Sequence, residues 1–159
     1  MKFNIPHIKQ FIEAQGPDTR IYIGVDSARL RGHDKLWYAD FTAAIVVHIN
    51  GNKGCKIFGS VNREIDYDQR KDKPQMRLMN EVYRVSELYL KLSELFKDHV
   101  IDVHLDINPN EKHGSSCVIQ QAIGYIRGTC NVIPFVKPDA FAASYAADRL
   151  KGLRSRIAA

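Results

Sequence analysis

Apolar residues change their spacing along this chain, and the changes mark out its elements. Near the start, Ile8, Phe11 and Ile12 fall on one side of a short amphipathic helix that Gly16-Pro17 stops. Ile21–Ser27 then reads as a buried strand, rich in β-branched and aromatic residues and ending in a carboxylate. Arg29, Arg31 and Gly32-His33-Asp34 read as an exposed basic turn, followed by a long strand from Leu36 to Ile49. Asn50-Gly51-Asn52-Lys53-Gly54 is a hairpin signal, and a third strand runs back from Cys55 to about Ile65. The first half is therefore an antiparallel meander.

After a charged turn at 66–74 the period becomes helical. Leu78, Val82, Val85, Leu88, Tyr89, Leu92 and Phe96 define one amphipathic helix from about Gln75 to Phe96. A fourth strand spans Ile101–Ile107, and a second helix spans about Ser116–Arg127 with Gly128 as its stop. Asn131–Val136 reads as a short fifth strand, and an alanine-rich helix of about Ala140–Lys151 closes the domain. Strands separated by helices should pair in parallel, with right-handed crossovers. The expectation is an α/β fold with a five-stranded mixed sheet: strands one to three antiparallel, then strands four and five parallel.

Composition narrows the class without changing that picture. With 159 residues, 45% hydrophobic and 26% charged, the chain is expected to form one main domain at 21–152. A helical extension at 1–20 precedes it and a basic tail at 153–159 follows. No apolar run is long enough to span a bilayer, and the first residues lack a signal-peptide core. Three widely spaced cysteines (Cys55, Cys117, Cys130) suit a reducing compartment, so a cytoplasmic location is expected. The net charge of +5 is compatible with a nucleic-acid partner.

Four carboxylates stand where chemistry could be built. An ionised carboxylate closing a buried strand, as Asp26 does, costs several kcal/mol unless it meets water, donors or a cation. Asp106 repeats the arrangement at the end of the fourth strand. If the two strands are parallel neighbours, Asp26 and Asp106 sit side by side at their carboxyl ends, where open α/β sheets place their sites. Glu81 lies inside the apolar stripe of its helix, between Leu78 and Val85, whereas Glu87 and Glu94 lie on the opposite, solvated side. Asp139 precedes the last helix, where N-capping also accounts for it. Asp148 further along competes with it. His104 shares a strand face with Asp102 and Asp106, as a hydrogen-bonded structural histidine or a partner of a metal ligand. His113 lies in an exposed loop, with proton transfer as its alternative role. Such a carboxylate cluster repels itself unless a cation neutralises it, and oxygen-only ligation suits Mg²⁺ or Mn²⁺. Two such ions roughly 4 Å apart are suited to in-line attack on a phosphodiester. Arg29, Arg31, Lys112 and Lys137 are candidates for backbone phosphates.

The element order and the Asp, Glu, Asp, Asp succession resemble the ribonuclease H superfamily over nearly the whole chain from Ile21. More narrowly, three stretches resemble the bacterial YkuK-type family. They are Ile23-Gly24-Val25-Asp26-Ser27, His104-Leu105-Asp106-Ile107, and the run from Val136-Lys137-Pro138-Asp139-Ala140-Phe141 to Asp148-Arg149. The resemblance implies a ribonuclease H-like fold with helices on both faces of the sheet. It places the superfamily's metal ligands on Asp26, Glu81, Asp106 and Asp139, with Asp148 as the alternative fourth ligand and Ser27 nearby. The function it implies is a Mg²⁺- or Mn²⁺-dependent nuclease acting by a two-metal mechanism on RNA, RNA–DNA hybrid or structured DNA. The alternative is a non-catalytic module of the same fold that binds nucleic acid or protein.

Overall fold

Ile21, Ile23 and Val25 point to one face of the sheet and Tyr22, Gly24 and Asp26 to the other, and this alternation lays out the domain. The computed structural model describes residues 2–51, 53–68, 74–110 and 112–150. The basic tail 153–159 lies outside the described residues. So do Lys151, the expected end of the last helix, Asn52 of the hairpin and residues 69–73 of the charged turn.

Strand β1 (Arg20–Arg31) pairs antiparallel with β2 (Trp37–His48), and β2 pairs antiparallel with β3 (Cys55–Ile65). Strand β4 (Ile101–Leu105) pairs in parallel with β1, from Ile21↔Ile101 to Val25↔Leu105. The order across the sheet is β3-β2-β1-β4. Helix α1 (Ile5–Glu13) starts at Asn4, whose side chain accepts the His7 N–H at 3.1 Å. Its Ile8 and Ile12 are buried in the same core as β1, so α1 packs into the domain. Helix α2 (Gln75–Leu95) makes the crossover to β4, and α3 (Ile119–Cys130) packs beside it after a 3₁₀ turn at Gly114–Val118. Helix α4 (residues 141–150) opens with a wide π turn at Ala142–Ala146 and covers the other face through Ala142 and Ala146 against Ala44 and Val46. Helices thus cover both faces, as expected.

Three expectations are corrected. The sheet has four strands, not five. The segment expected to form the fifth makes a single parallel bridge, Phe135 to His104, with the Phe135 N–H donating to Val103 O and its carbonyl accepting from Leu105 N, both at 2.8 Å. Beyond the bridge the Lys137 N–H donates to Ile107 O at 3.1 Å, out of register with a ladder that would take it to Leu105 O. Secondly, β1 does not end at Ser27. Antiparallel pairing carries it to Arg31↔Trp37, so Arg29 belongs to a strand and not to an exposed turn. Thirdly, α3 runs through Gly128 and ends at Asn131, which takes the left-handed conformation (φ 56°) while its N–H donates to Arg127 O.

The seat of α4 depends on one missing side chain. A Cβ built on Gly24 would lie 2.4 Å from the backbone nitrogen of Ala143 and 2.6 Å from its Cα, so any other residue pushes α4 off the sheet. Gly24→Ala should therefore destabilise the domain by about 1–3 kcal/mol. Gly124, in α3, has nothing within 4 Å of its Cβ position, and Gly124→Ala should stabilise by about 0.5–1 kcal/mol. Urea unfolding of both variants checks the pair of signs.

Candidate functional site

Val25↔Leu105 is the last pair between β1 and β4, and Asp26 and Asp106 are the next residue on each strand. The two aspartates therefore follow neighbouring parallel strands at the point where their pairing ends. Asp26 remains tied on its other side, opposite Thr42 of β2, and its Oδ1 accepts the Ser27 N–H at 2.7 Å. Oδ1 of Asp106 accepts from Ser144 Oγ at 2.7 Å and stands 2.8 Å from Lys137 Nζ.

Glu81 approaches from the other face of the sheet. Facing alone singles it out on its helix, and the structure buries it to 4% exposure, whereas Glu87 and Glu94 are exposed. Ser27, the residue after Asp26, points to the α2 side and donates its hydroxyl to Glu81 Oε1 at 2.5 Å. Arg77, one turn earlier on α2, donates Nη1 to Ser27 Oγ at 2.6 Å and to Ser27 O at 3.1 Å, and lies 4.0 Å from Glu81 Oε1. Burial pushes the Glu81 carboxyl well above the usual carboxylate range, and the charges of Asp26 and Asp106 add to the rise. The Ser27 hydroxyl and Arg77 pull the other way without cancelling it. Asp26, Glu81 and Asp106 therefore share one electrostatic environment.

The fourth carboxylate comes from α4, and here the geometry divides the two sequence candidates. Asp139 is exposed just before the helix, and its charge acts on His104. Asp148 lies one turn after Ser144, the residue that holds Asp106. Its charge acts on Lys137 together with those of Asp106 and Asp26. The charge of Asp148 thus reaches the lysine bound to Asp106, while that of Asp139 reaches His104. His104 is 2% exposed and accepts the Ala142 N–H on Nδ1 at 3.1 Å. Burial pushes its pKa down to about 4 against the pull of Asp139, so it is a neutral ring holding the start of α4.

The candidate phosphate contacts separate as well. Arg29 is turned inward. Its Nε is 2.8 Å from Asp66 Oδ2, its Nη2 donates to Asp68 O at 2.8 Å, and its guanidinium lies 4.4 Å from the Trp37 ring centre. Asp68 in turn accepts the Met76 and Arg77 N–H groups at 2.9 and 2.8 Å, capping α2 from well before the helix. Arg31 is exposed, 5.8 Å from the Trp37 ring centre, and Lys112 and His113 lie exposed in the loop before α3. Lys137 is bound to Asp106. Sequence reading missed Arg77 and Ser144. Their spacing offered a signal, since Arg77 is four residues before Glu81 and Ser144 four before Asp148.

The donors gathered here are carboxylates and a hydroxyl, a set that fits a hard divalent cation. Burial, with the charges of Asp26 and Asp106 behind it, disfavours the ionised form of Glu81. Among the described residues, no three Asp, Glu, His or Cys side chains are drawn tightly enough together to enclose an ion. Asp106 is turned to Lys137 and Ser144.

A family model described as Ribonuclease H-like matches residues 4–151. No curated protein and no solved structure gives a significant match.

Glu81 also leaves a mark on stability. A carboxyl whose folded pKa is raised destabilises the fold when ionised, and the penalty is relieved as pH falls through the folded value toward the unfolded one near 4.5. Glu81→Gln keeps an acceptor for Ser27 without the charge. It should be more stable than wild type at pH 8, with the gap closing toward pH 5. His104 acts oppositely, losing stability as pH falls from about 6.5 toward about 4, but it is common to both proteins and cancels in the difference. Urea unfolding at several pH values gives the comparison; a gap that widens toward acid would contradict it.

Proposed function

The chain belongs to the ribonuclease H-like family, and we propose that it acts as a divalent-metal-dependent nuclease hydrolysing phosphodiester bonds in nucleic acid. The observation that carries this reading is the buried Glu81 of α2, which feels the charges of Asp26 and Asp106 where β1 and β4 part. The charges of Asp106, Asp26 and Asp148 in turn act on Lys137, which is bound to Asp106. Four acidic side chains drawn from four separate elements are costly to keep together without a positive ligand. The finer kinship, with the YkuK-type family, rests on the Lys137-Pro138-Asp139-Ala140-Phe141 run and is part of the same proposal.

Asp26, Glu81, Asp106 and Asp148 would hold Mg²⁺ or Mn²⁺, with Asp148 taking the place first given to Asp139. When bound, such an ion supplies the charge that lowers the pKa of water to make a nucleophile and steadies the leaving oxygen. The protein's own part is positioning. Ser27 and Arg77 fix the Glu81 carboxylate, and Ser144 and Lys137 fix Asp106. Exposed Arg31 and Lys112 are free of the carboxylate cluster and suit phosphates further along a bound strand. RNA, RNA–DNA hybrid and branched DNA are the substrate classes to separate. The protein is proposed to work in the cytoplasm, and no described helix is long and apolar enough to cross a membrane.

The test is a cleavage panel over single-stranded RNA, hybrid, duplex DNA and four-way junctions, with Mg²⁺, with Mn²⁺ and with chelator. Metal-dependent product is expected from at least one substrate. Asp106→Asn and Asp148→Asn should each lower the rate by orders of magnitude, while Asp139→Asn and Glu87→Gln leave it nearly unchanged. Binding without product on every substrate and either metal would replace the nuclease with a non-catalytic nucleic-acid-binding module.

A further inference from the structure

We propose that a hollow on the α4 face of the sheet, between Tyr22, His48, Cys55 and Phe141, holds an unpaired base of a single-stranded nucleic acid. The inference takes its nucleic-acid partner from the nuclease reading and needs neither metal nor cleavage.

The hollow exists because α4 covers only part of that face. The helix seats on Gly24 through Ala142 and Ala143, while β1 and β2 run on past it to Arg20 and His48. Pairing sets Tyr22 beside Val46, Arg20 beside His48, and His48 beside Cys55. Partners across antiparallel strands share a face, and Val46 packs against Ala142, so all five residues lie on the α4 side. Phe141 closes the end nearest the helix and Gly54 forms the lip at the hairpin, around a volume of about 220 Å³.

Tyr22, His48 and Phe141 line this space with rings. The Phe141 ring centre lies 4.8 Å from that of Tyr22 and 4.6 Å from that of His104, and Tyr22 lies 6.3 Å from His48. Phe141 is nevertheless 38% exposed. Phe135, also exposed, stands 5.4 Å from His104 and continues the row of rings beyond the hollow. An aliphatic groove would suit the apolar side chain of a peptide, whereas walls made of rings suit a flat π system. Unpaired bases are held in this way on Phe, Tyr and His side chains. A paired base cannot enter, because its neighbours in the stack cover its faces.

Cations stand where the sugar and phosphate of such a base would leave. The Arg20 guanidinium carbon is 6.0 Å from the Tyr22 ring centre, and exposed Lys53 precedes Gly54 on the lip. Arg20 also meets Asp102 at 3.1 Å, a surface pair that holds it only weakly. The carboxylates lie elsewhere. At roughly 3.3 Å per residue, Tyr22 is about 13 Å from Asp26 along β1, with Gly24 under the helix between them. A strand held in the hollow is thus anchored away from the reacting centre.

The experiment measures binding by the full-length protein in chelator, through the fluorescence anisotropy of labelled single-stranded RNA and DNA and of the same sequences as duplexes. Wild type should bind a single strand about tenfold more tightly than its duplex. Phe141→Leu removes a ring and keeps apolar bulk, and Cys55→Leu narrows the hollow; neither changes the charge. Each should weaken single-strand binding by about tenfold, the loss expected of one base–aromatic stack, and leave duplex binding unchanged. Thermal unfolding confirms that both variants are folded. In a Cys117→Ser protein Cys55 is the accessible thiol, since Cys130 is buried, and a bound single strand should slow its reaction with a maleimide. That measurement stands should Phe141→Leu fail to fold. Equal affinity for single strand and duplex, unchanged affinity in the folded variants, an unprotected Cys55, or no binding by wild type overturns the inference. Protection of Cys55 by a nucleoside monophosphate as strong as that by the strand also overturns it, because the hollow would then serve free nucleotides. The nuclease reading is decided separately, by metal-dependent product in the cleavage panel.

Discussion

A carboxylate buried at the edge of the core, Glu81, is the constraint on which this end of the molecule depends. Its carboxyl is kept from water and faces the charges of Asp26 and Asp106. A buried charge of this kind survives only where donors and counter-charges are held rigidly around it. The holding extends well beyond the first contact. Arg77 binds Ser27 and Glu81, and Asp66, 1% exposed, lies between Arg77 at 3.9 Å and Arg29 at 2.8 Å. Arg29 reaches on to the Asp68 carbonyl, and the Asp68 carboxylate caps α2, the helix that carries Glu81. The network closes on itself: strand, connecting segment and helix each supply a group that another requires.

Convergence from two faces of a sheet is geometrically awkward, because alternating side chains keep the faces apart. The domain resolves this where pairing ends. Beyond Val25↔Leu105 the gap between β1 and β4 is no longer bridged by backbone hydrogen bonds, so groups from both faces can interact around their ends. Ser27 then serves the α2 side while Asp26, one residue earlier, serves the α4 side. Close approach is the remaining requirement, and it is met by small residues: Gly24 and Ala44 on the sheet, Ala142, Ala143 and Ala146 on the helix. A larger side chain at that contact would move α4, and with it Ser144 and Asp148. The packing of an apolar interface thus sets the spacing of a polar one.

What the sequence made legible follows from how local each signal was. Asp26 and Asp106 announce themselves because a carboxylate at the end of an apolar strand is anomalous by itself. Glu81 is legible through periodicity, since it breaks the stripe that Leu78 and Val85 define. Between Asp139 and Asp148 the sequence offers no local means of choosing. An aspartate ahead of a helix has a local role in view, whereas the value of Asp148 depends on which face of α4 meets Asp106, a tertiary fact. Arg29 misled for a similar reason: a polar run after an apolar one reads as a turn, but β2 offered pairing partners as far as Trp37. The fifth strand fell short because its chain leaves the β4 register after Phe135, with the Lys137 N–H going to Ile107 O, a tertiary fact that the apolar run does not carry. Asp68 had no legible role at all, because its partners at Met76 and Arg77 are capped across an intervening segment.

Net charge proves a poor guide to where nucleic acid would sit. The chain carries +5 overall, yet much of the basic charge around the site is spent inside the protein: Arg29 on Asp66, Arg77 on Ser27 and Glu81, Lys137 on Asp106. Those three stabilise carboxylates and have little left for a phosphate. A phosphodiester approaching ionised carboxylates meets repulsion that distant surface lysines, screened within about 10 Å at ordinary ionic strength, offset only in part. On the nuclease reading, attraction at the reacting centre therefore has to come from the bound cation. Because whatever favours one ligand in the presence of the other must act reciprocally, a nucleic acid that needs the ion also tightens its hold on it. The scaffold of buried ion pairs makes that dependence steep: it keeps the carboxylates in place whether or not they are neutralised, and leaves the final balance of charge to be completed from outside.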